Sequence, residues 1–132
     1  MNMTDPVADL LSRIRNAVLA RSETVEIPAS RLKANLVRVL REEGLITSFR
    51  LTREGGKATI KIALSYDNKG KAVLRGLRRV SRPGLRRYVG ASEVAKVRSG
   101  SGLAILSTSK GVMTGKSAKA AKVGGEFLCE VW

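Results

Sequence analysis

Leu103-Ala-Ile-Leu-Ser-Thr-Ser-Lys-Gly-Val-Met-Thr-Gly115 changes character in its middle: four apolar residues give way to hydroxylated side chains, a lysine and two glycines. Leu103, Ala104, Ile105 and Leu106 predict a short strand covered on both faces. From Ser107 the residues read as a loop whose hydroxyls and backbone amides a close-packed partner can reach. Thr114 is placed to cap a short basic helix, Gly115 to Val123, so the loop runs into a helix N-terminus whose free N–H groups favour an anion. Hydroxyls held rigidly beside such amides suit an RNA phosphate.

On the C-terminal side, Gly124-Gly125 releases the chain into a last strand, Glu126 to Trp132, in which the lone Cys129 reads as a small buried thiol. On the N-terminal side, Ser92 with Glu93 begins a short helical segment that Gly100 to Gly102 ends. Before it, Arg82-Pro83-Gly84 predicts a turn, proline fixing the first central position and glycine the second, followed by a strand from Leu85 to Val89. Lys71 to Val80 mixes Val73, Leu74, Leu77 and Val80 with arginines and is interrupted by Gly76. Tyr66 to Gly70, with Asp67 and Asn68, is the best turn cluster in the chain and the boundary between two modules.

The first module opens at Asp5-Pro6, a helix start signal, and Val7, Leu10, Leu11, Ile14 and Val18 fall on one helical face. Val25 to Ile27 is a short edge strand stopped by Pro28. Ser30 caps a second helix whose buried face is Leu32, Leu36, Val39 and Leu40, with Gly44 as its C-terminal cap. Two strands, Thr47 to Thr52 and Lys57 to Leu64, form a hairpin through Gly55-Gly56. The fold class is therefore α+β in two small α/β modules: residues 1–68 as helix, strand, helix and hairpin, and residues 69–132 as a mostly β unit with short helices.

Charge bounds the function. The 132 residues carry 25 Lys and Arg against 11 Asp and Glu, yet 43% of them are hydrophobic, so this is a folded basic protein that needs either a polyanionic partner or a reason to tolerate self-repulsion. Residues 71–132 hold thirteen basic and three acidic residues, and residues 1–70 hold twelve and eight, which makes the second module the main binding half. Arg75, Arg78, Arg79, Arg82, Arg86 and Arg87 lie in a stretch without an acid. Aromatics are 4% of the chain, too few for a base-stacking sheet, so a structured RNA read through phosphates, ribose hydroxyls and groove edges fits better.

Catalysis finds little support. Histidine is absent, which removes Ser-His-Asp triads, and with one cysteine it removes zinc fingers. Ser107-Thr-Ser-Lys110 has the Ser-x-x-Lys spacing of penicillin-binding enzymes without their other motifs. Gly111 to Ser117 is one residue short of a phosphate-binding P-loop. No metal, cofactor or small-molecule substrate is expected. The N-terminus lacks the pattern of a signal peptide and no run is long enough to span a bilayer, so no membrane is expected and a reducing cytoplasm fits.

Five stretches together resemble one family, small-subunit ribosomal protein eight in its bacterial form. They are Asp5-Pro-Val-Ala-Asp-Leu-Leu-Ser-Arg-Ile-Arg-Asn-Ala17; Ser30-Arg-Leu-Lys33 with Glu42-Glu-Gly44; Arg79-Val-Ser-Arg-Pro-Gly-Leu-Arg86 with Tyr88; Ser107-Thr-Ser-Lys-Gly-Val-Met-Thr114; and Gly124-Gly-Glu126 with Leu128-Cys129 and Val131-Trp132. The resemblance implies a structural constituent of the small ribosomal subunit. Its second module would bind a helical junction in the central domain of 16S rRNA and help organise subunit assembly beside neighbouring small-subunit proteins. It places binding roles on Ser107, Thr108, Ser109, Lys110 and Gly111, on Tyr88, and on Gly124, Gly125 and Glu126. Arg86 joins them from the basic stretch, and Arg13, Arg15, Asn16, Arg31 and Lys33 would add backbone contacts from the first module. Some members also repress translation of their own messenger RNA. Two positions depart from the family: Lys122 stands where a glycine often closes the short helix, and Glu130 where a tyrosine is usual. Glu130 is expected to face away from the RNA or to pair with a nearby arginine.

The competing reading is a winged-helix-like DNA-binding regulator, with Ser30 to Glu43 as recognition helix and the Gly55-Gly56 hairpin as wing. A small nucleotide hydrolase dependent on Lys116 is a third.

Overall fold

The computed structural model describes residues 5–94 and 102–132. Helix α1, Pro6–Leu19, starts behind an extended Asp5 whose carboxylate accepts from the Ala8 N–H at 3.1 Å, and Pro6 occupies the turn where its missing N–H has no partner to lose. It buries Val7, Leu10, Leu11, Ile14 and Ala17, with Val18 at the margin of the stripe. Strand β1 is Thr24–Pro28. Helix α2, Arg31–Glu42, is capped by the Ser30 hydroxyl, which accepts from Lys33 N–H at 3.2 Å. Val37 joins its fully buried side, and Leu32 is only half-buried. Strands β2, Ile46–Glu54, and β3, Lys57–Leu64, close a hairpin in which Gly55 and Gly56 take φ of +57° and +78°, the left-handed pair that a two-residue turn of matching twist requires. The three strands pair in the order β1-β3-β2, all antiparallel.

Asp67 then tightens the predicted turn, its Oδ1 accepting from the Lys69 and Lys71 N–H groups at 2.8 and 2.9 Å. A second antiparallel sheet follows from β4, Leu77–Arg79; β5, Tyr88–Val89; β6, Leu103–Thr108; β7, Gly111–Thr114; and β8, Gly125–Val131, with the short helix α3, Gly115–Ala121, between β7 and β8. β8 is its axis: β6 lies along one side, with β7 beyond it, and β4 and β5 share the other.

Three expectations change here. The strand expected over Leu85 to Val89 shrinks to Tyr88–Val89, because Arg82 and Leu85 exchange both backbone bonds at 3.0 Å across Pro83-Gly84 and so commit Leu85 to the turn. The stretch from Ser107 to Thr114 is a hairpin, not a loop: β6 continues to Thr108, Ser109 and Lys110 form the tip, and β7 returns with Val112 and Thr114 buried. The last turn of the basic helix is also shorter, ending at Ala121. The helical segment expected from Ser92 to Gly102 falls largely outside the described residues; Glu93 and Val94 turn back onto the Gly90 carbonyl.

One buried cluster runs through both sheets, joining Leu10, Ile14, Leu36, Ile60 and Ile62 to Leu77, Ile105, Leu128, Cys129 and Val131. Burial pushes the Cys129 thiol up to about 12, so it stays protonated as a core side chain. A smaller cluster of Val94, Ala104, Leu106 and Ala118 lies beneath α3. Arg15 on α1 donates to the Leu77 carbonyl, and Arg79 on β4 pairs with Asp5 at 3.0 Å, both tying the first helix to the second sheet. No described helix is long and apolar enough to cross a membrane.

Candidate nucleic-acid interface

Strand register decides which residues share a surface. Tyr88 and Ser107 are both direct partners of Glu126, one from each side of β8, so Tyr88, Glu126 and Ser107 form a row across three strands on one face. Val89, Gly125 and Thr108 form the next row and project to the other face. A bulge between Ile105 and Leu106 in the β6–β8 pairing sets this alignment, because Leu128 becomes the extra residue opposite it.

The two glycines explain how three strands meet so closely. A Cβ on Gly124 would lie 2.2 Å from the Val89 carbonyl oxygen, and one on Gly125 would lie 2.2 Å from that of Ser107. Both clashes are with backbone, which has no room to swing away. Gly124 and Gly125 are thus the floor that holds Tyr88 beside the β6–β7 tip.

At the tip, Thr108 serves the turn itself: its Oγ1 donates to the Gly111 carbonyl at 2.8 Å and accepts from Lys110 N–H at 3.1 Å. Ser109 and Lys110 are exposed, and Ser107 is half-buried. Thr114 spends its hydroxyl oxygen on the Ser117 N–H at 3.2 Å, capping α3 as expected.

Tyr88 is 70% exposed, unusual for a ring of that size. Beside it, Arg86 Nη1 donates to Glu126 Oε2 at 2.9 Å, and the fully buried Ser81 donates its hydroxyl to the same oxygen at 2.5 Å. Burial alone would raise the Glu126 carboxyl, but the bonds from Ser81 and Arg86 and the charges of Arg86 and Arg79 hold it below the usual carboxylate range. It is an anion at neutral pH.

The remaining basic residues divide. Arg75, Arg82 and Arg87 are exposed, whereas Arg79 is almost buried in its pair with Asp5. Arg78 pairs with Glu130, whose side chain is 8% exposed, so the departing acid is paired with an arginine as expected. Lys122, the other departure, takes φ of +58°, the left-handed conformation that a glycine there would adopt freely.

The first-module candidates are not equivalent. Asn16 and Arg31 are exposed; Arg13 is exposed and pairs with Asp9 at 2.9 Å one turn back. Arg15 is exposed but donates to the Leu77 carbonyl. Lys33, expected as a backbone contact, is instead 7% exposed: its ammonium donates to the Pro28 carbonyl at 3.1 Å and lies 3.9 Å from Asp9. A buried ammonium so engaged holds the α1–β1–α2 corner together. The sequence reading missed the junction at Ser81 and the pairing of Asp5 with Arg79, although it read Asp5 as a helix cap and Arg79 as part of the basic stretch. Nothing in a lone serine marks it as a junction, although the adjacent Arg82-Pro83-Gly84 turn does mark the place.

Comparison with known proteins matches the chain to a family. A family model described as Ribosomal protein S8 matches residues 5–132. The chain is 50% identical over 132 residues to the small ribosomal subunit protein uS8 of Acidobacterium capsulatum, covering all of both chains. It is 51% identical over 129 residues to that of Solibacter usitatus, covering 98% of each, and 46% identical over 132 residues to that of Clostridioides difficile. Agreement at that level over the full length, from the Asp5 cap to the closing strand, shows that the chain belongs to the ribosomal protein S8 family.

Proposed function

We propose that this chain binds a helical junction in the central domain of 16S rRNA and helps to organise small-subunit assembly. The hairpin tip and the Tyr88–Glu126–Ser107 row recognise the site, and exposed arginines and lysines supply salt-sensitive affinity. Membership of the family makes the chain a structural, non-enzymatic constituent of the small ribosomal subunit, working in translation. Neighbouring ribosomal proteins are its other partners. A messenger RNA that folds into the same junction would occupy the same surface, and repression of its own message would follow from that competition.

The observation that carries the proposal is the alignment of Ser107, Glu126 and Tyr88 beside the exposed Ser109-Lys110 tip, on strands that Gly124 and Gly125 pack too tightly to shift. The row is polar, narrow and rigid, which suits groove edges and ribose better than base stacking. The competing duplex-DNA reading needs α2 free to enter a groove. That helix buries Leu36, Val37, Val39 and Leu40, and Arg38 reaches the Val112 carbonyl at 3.5 Å.

Ser109→Ala tests the reading. Loss of one hydroxyl contact should weaken binding to a central-domain rRNA fragment by about fivefold to tenfold and leave duplex DNA binding unchanged. Equal losses on both ligands, or none on RNA, would contradict it; filter binding at fixed salt gives the answer.

A further inference from the structure

Ser81 is completely buried, although a serine adds little to an apolar core. The backbone around it shows what the hydroxyl does. Beyond β4 the chain continues along β8, and the Val80 and Ser81 N–H groups donate to the Leu128 and Phe127 carbonyls, each at 3.0 Å. The Arg82–Leu85 turn then reverses it. On the way back the Phe127 N–H donates to the Arg87 carbonyl at 2.9 Å, and Tyr88 and Val89 pair with β8. Phe127 is therefore where β8 exchanges one neighbour for another: the departing segment holds its carbonyl and the returning one its N–H.

This exchange leaves the Arg87 N–H in need of a partner, and Ser81 Oγ accepts from it at 3.1 Å. The same hydroxyl donates to Glu126 Oε2 at 2.5 Å, so it is engaged as donor and as acceptor, and one side chain closes the base of the loop from Ser81 to Arg87. Strand β5 has only two residues and is too short to set its own register. Tyr88 is 70% exposed, so packing of its ring does little to place it. Its position comes from the backbone just before it, which Ser81 fixes. We propose that Ser81 is a positioning residue for RNA binding, whose hydroxyl holds Arg87 so that Tyr88 is presented beside the β6–β7 tip. The inference rests on reading this face as an RNA site. Ser81 itself touches no RNA; removing its hydroxyl takes away a placement and no charge.

Ser81→Ala should weaken binding to the central-domain rRNA fragment by about tenfold and leave binding to an unrelated RNA duplex of equal length unchanged, because phosphate attraction survives a misplaced ring and site recognition does not. Equal losses on both RNAs would mean a general loss of fold. Unchanged fragment binding with a lower urea midpoint would mean that Ser81 only stabilises, and either result overturns the proposal. A double-mutant cycle separates placement from stability. In a Tyr88→Ala background, Ser81→Ala should cost fragment binding less than about twofold, yet lower the urea midpoint as much as it does alone. Binding losses that add in full would also overturn the proposal.

A second measurement needs no variant. In the free wild-type protein the Arg87 amide should resist hydrogen exchange as strongly as that of Phe127. An Arg87 amide that exchanges like one in an open turn would show that the hydroxyl holds nothing in place. A wild-type protein that binds both RNAs alike would instead overturn the reading of the surface, and the inference with it.

Discussion

Gly125 shows how narrow the tolerance of the site is at the scale of one residue. The space for a side chain there is filled by the Ser107 carbonyl, 2.2 Å from where a Cβ would lie, and by the Thr108 Cα at 3.0 Å. Gly125→Ala must push β6 away from β8, which should cost about 1–3 kcal/mol in urea unfolding and weaken rRNA binding together with it, because the strand that moves carries Ser107. Unchanged binding in a destabilised variant would show that the row is not the reader. Residue identity alone marked Ser107, Ser109, Lys110 and Tyr88 as candidates, since small hydroxyls, a lysine and a tyrosine beside a basic stretch have few structural uses at a strand end, and Ser109, Lys110 and Tyr88 are exposed. Lys33 and Arg15 were not legible in this way. Whether a cation on a helix faces solvent or a carbonyl depends on what packs beside it, and for Arg15 that carbonyl, on Leu77, is 62 residues away.

Among the elements, α3 carries the clearest stored cost. It has seven residues, and it ends on Lys122 in the left-handed region, where a side chain crowds the following carbonyl. Lys122→Gly should raise stability by about 1 kcal/mol, read as a higher urea midpoint at unchanged slope, and should lower nonspecific RNA affinity slightly through the lost charge. The helix starts were readable because Asp5, Ser30 and Thr114 each place an oxygen where the first N–H groups need one, and all three cap as expected. Strand β7 was hidden. Four residues beginning with glycine after a Ser-Lys tip look like loop until the burial of Val112 is known. The bulge that aligns Ser107 with Glu126 was equally invisible, since register is a property of two strands and the sequence presents them one at a time.

For the molecule as a whole, the Asp5–Arg79 pair joins the first helix to the second sheet. Burial works to raise the Asp5 carboxyl, but the bond and charge of Arg79 and the Ala8 N–H hold it below its ordinary value of 3.8. A depressed folded pKa means that the contribution is complete above the unfolded value and is lost as pH falls through the folded one. Asp5→Asn keeps a good helix cap and removes only the ion pair, so it should cost about 2 kcal/mol at pH 7 and progressively less below about pH 3.8. Urea unfolding at both ends of that range checks it; a penalty independent of pH would place the effect in the cap. The α+β class was legible from periodicity and turns. The core that runs through both sheets was not, because Leu77 and Val131 carry no mark of joining one cluster with the residues of α1 and β3.

The proposed function requires that this surface read a site and not merely attract a polyanion. A salt titration of binding to the central-domain rRNA fragment and to a DNA duplex of equal charge tests it most directly. The rRNA should bind more tightly by about a thousandfold and keep that margin as salt rises, since counterion release affects both ligands while the proposed contacts of the hairpin tip and the row would form with only one. Two curves that lie together and fall with the same slope would contradict the account, leaving the basic surface as charge alone.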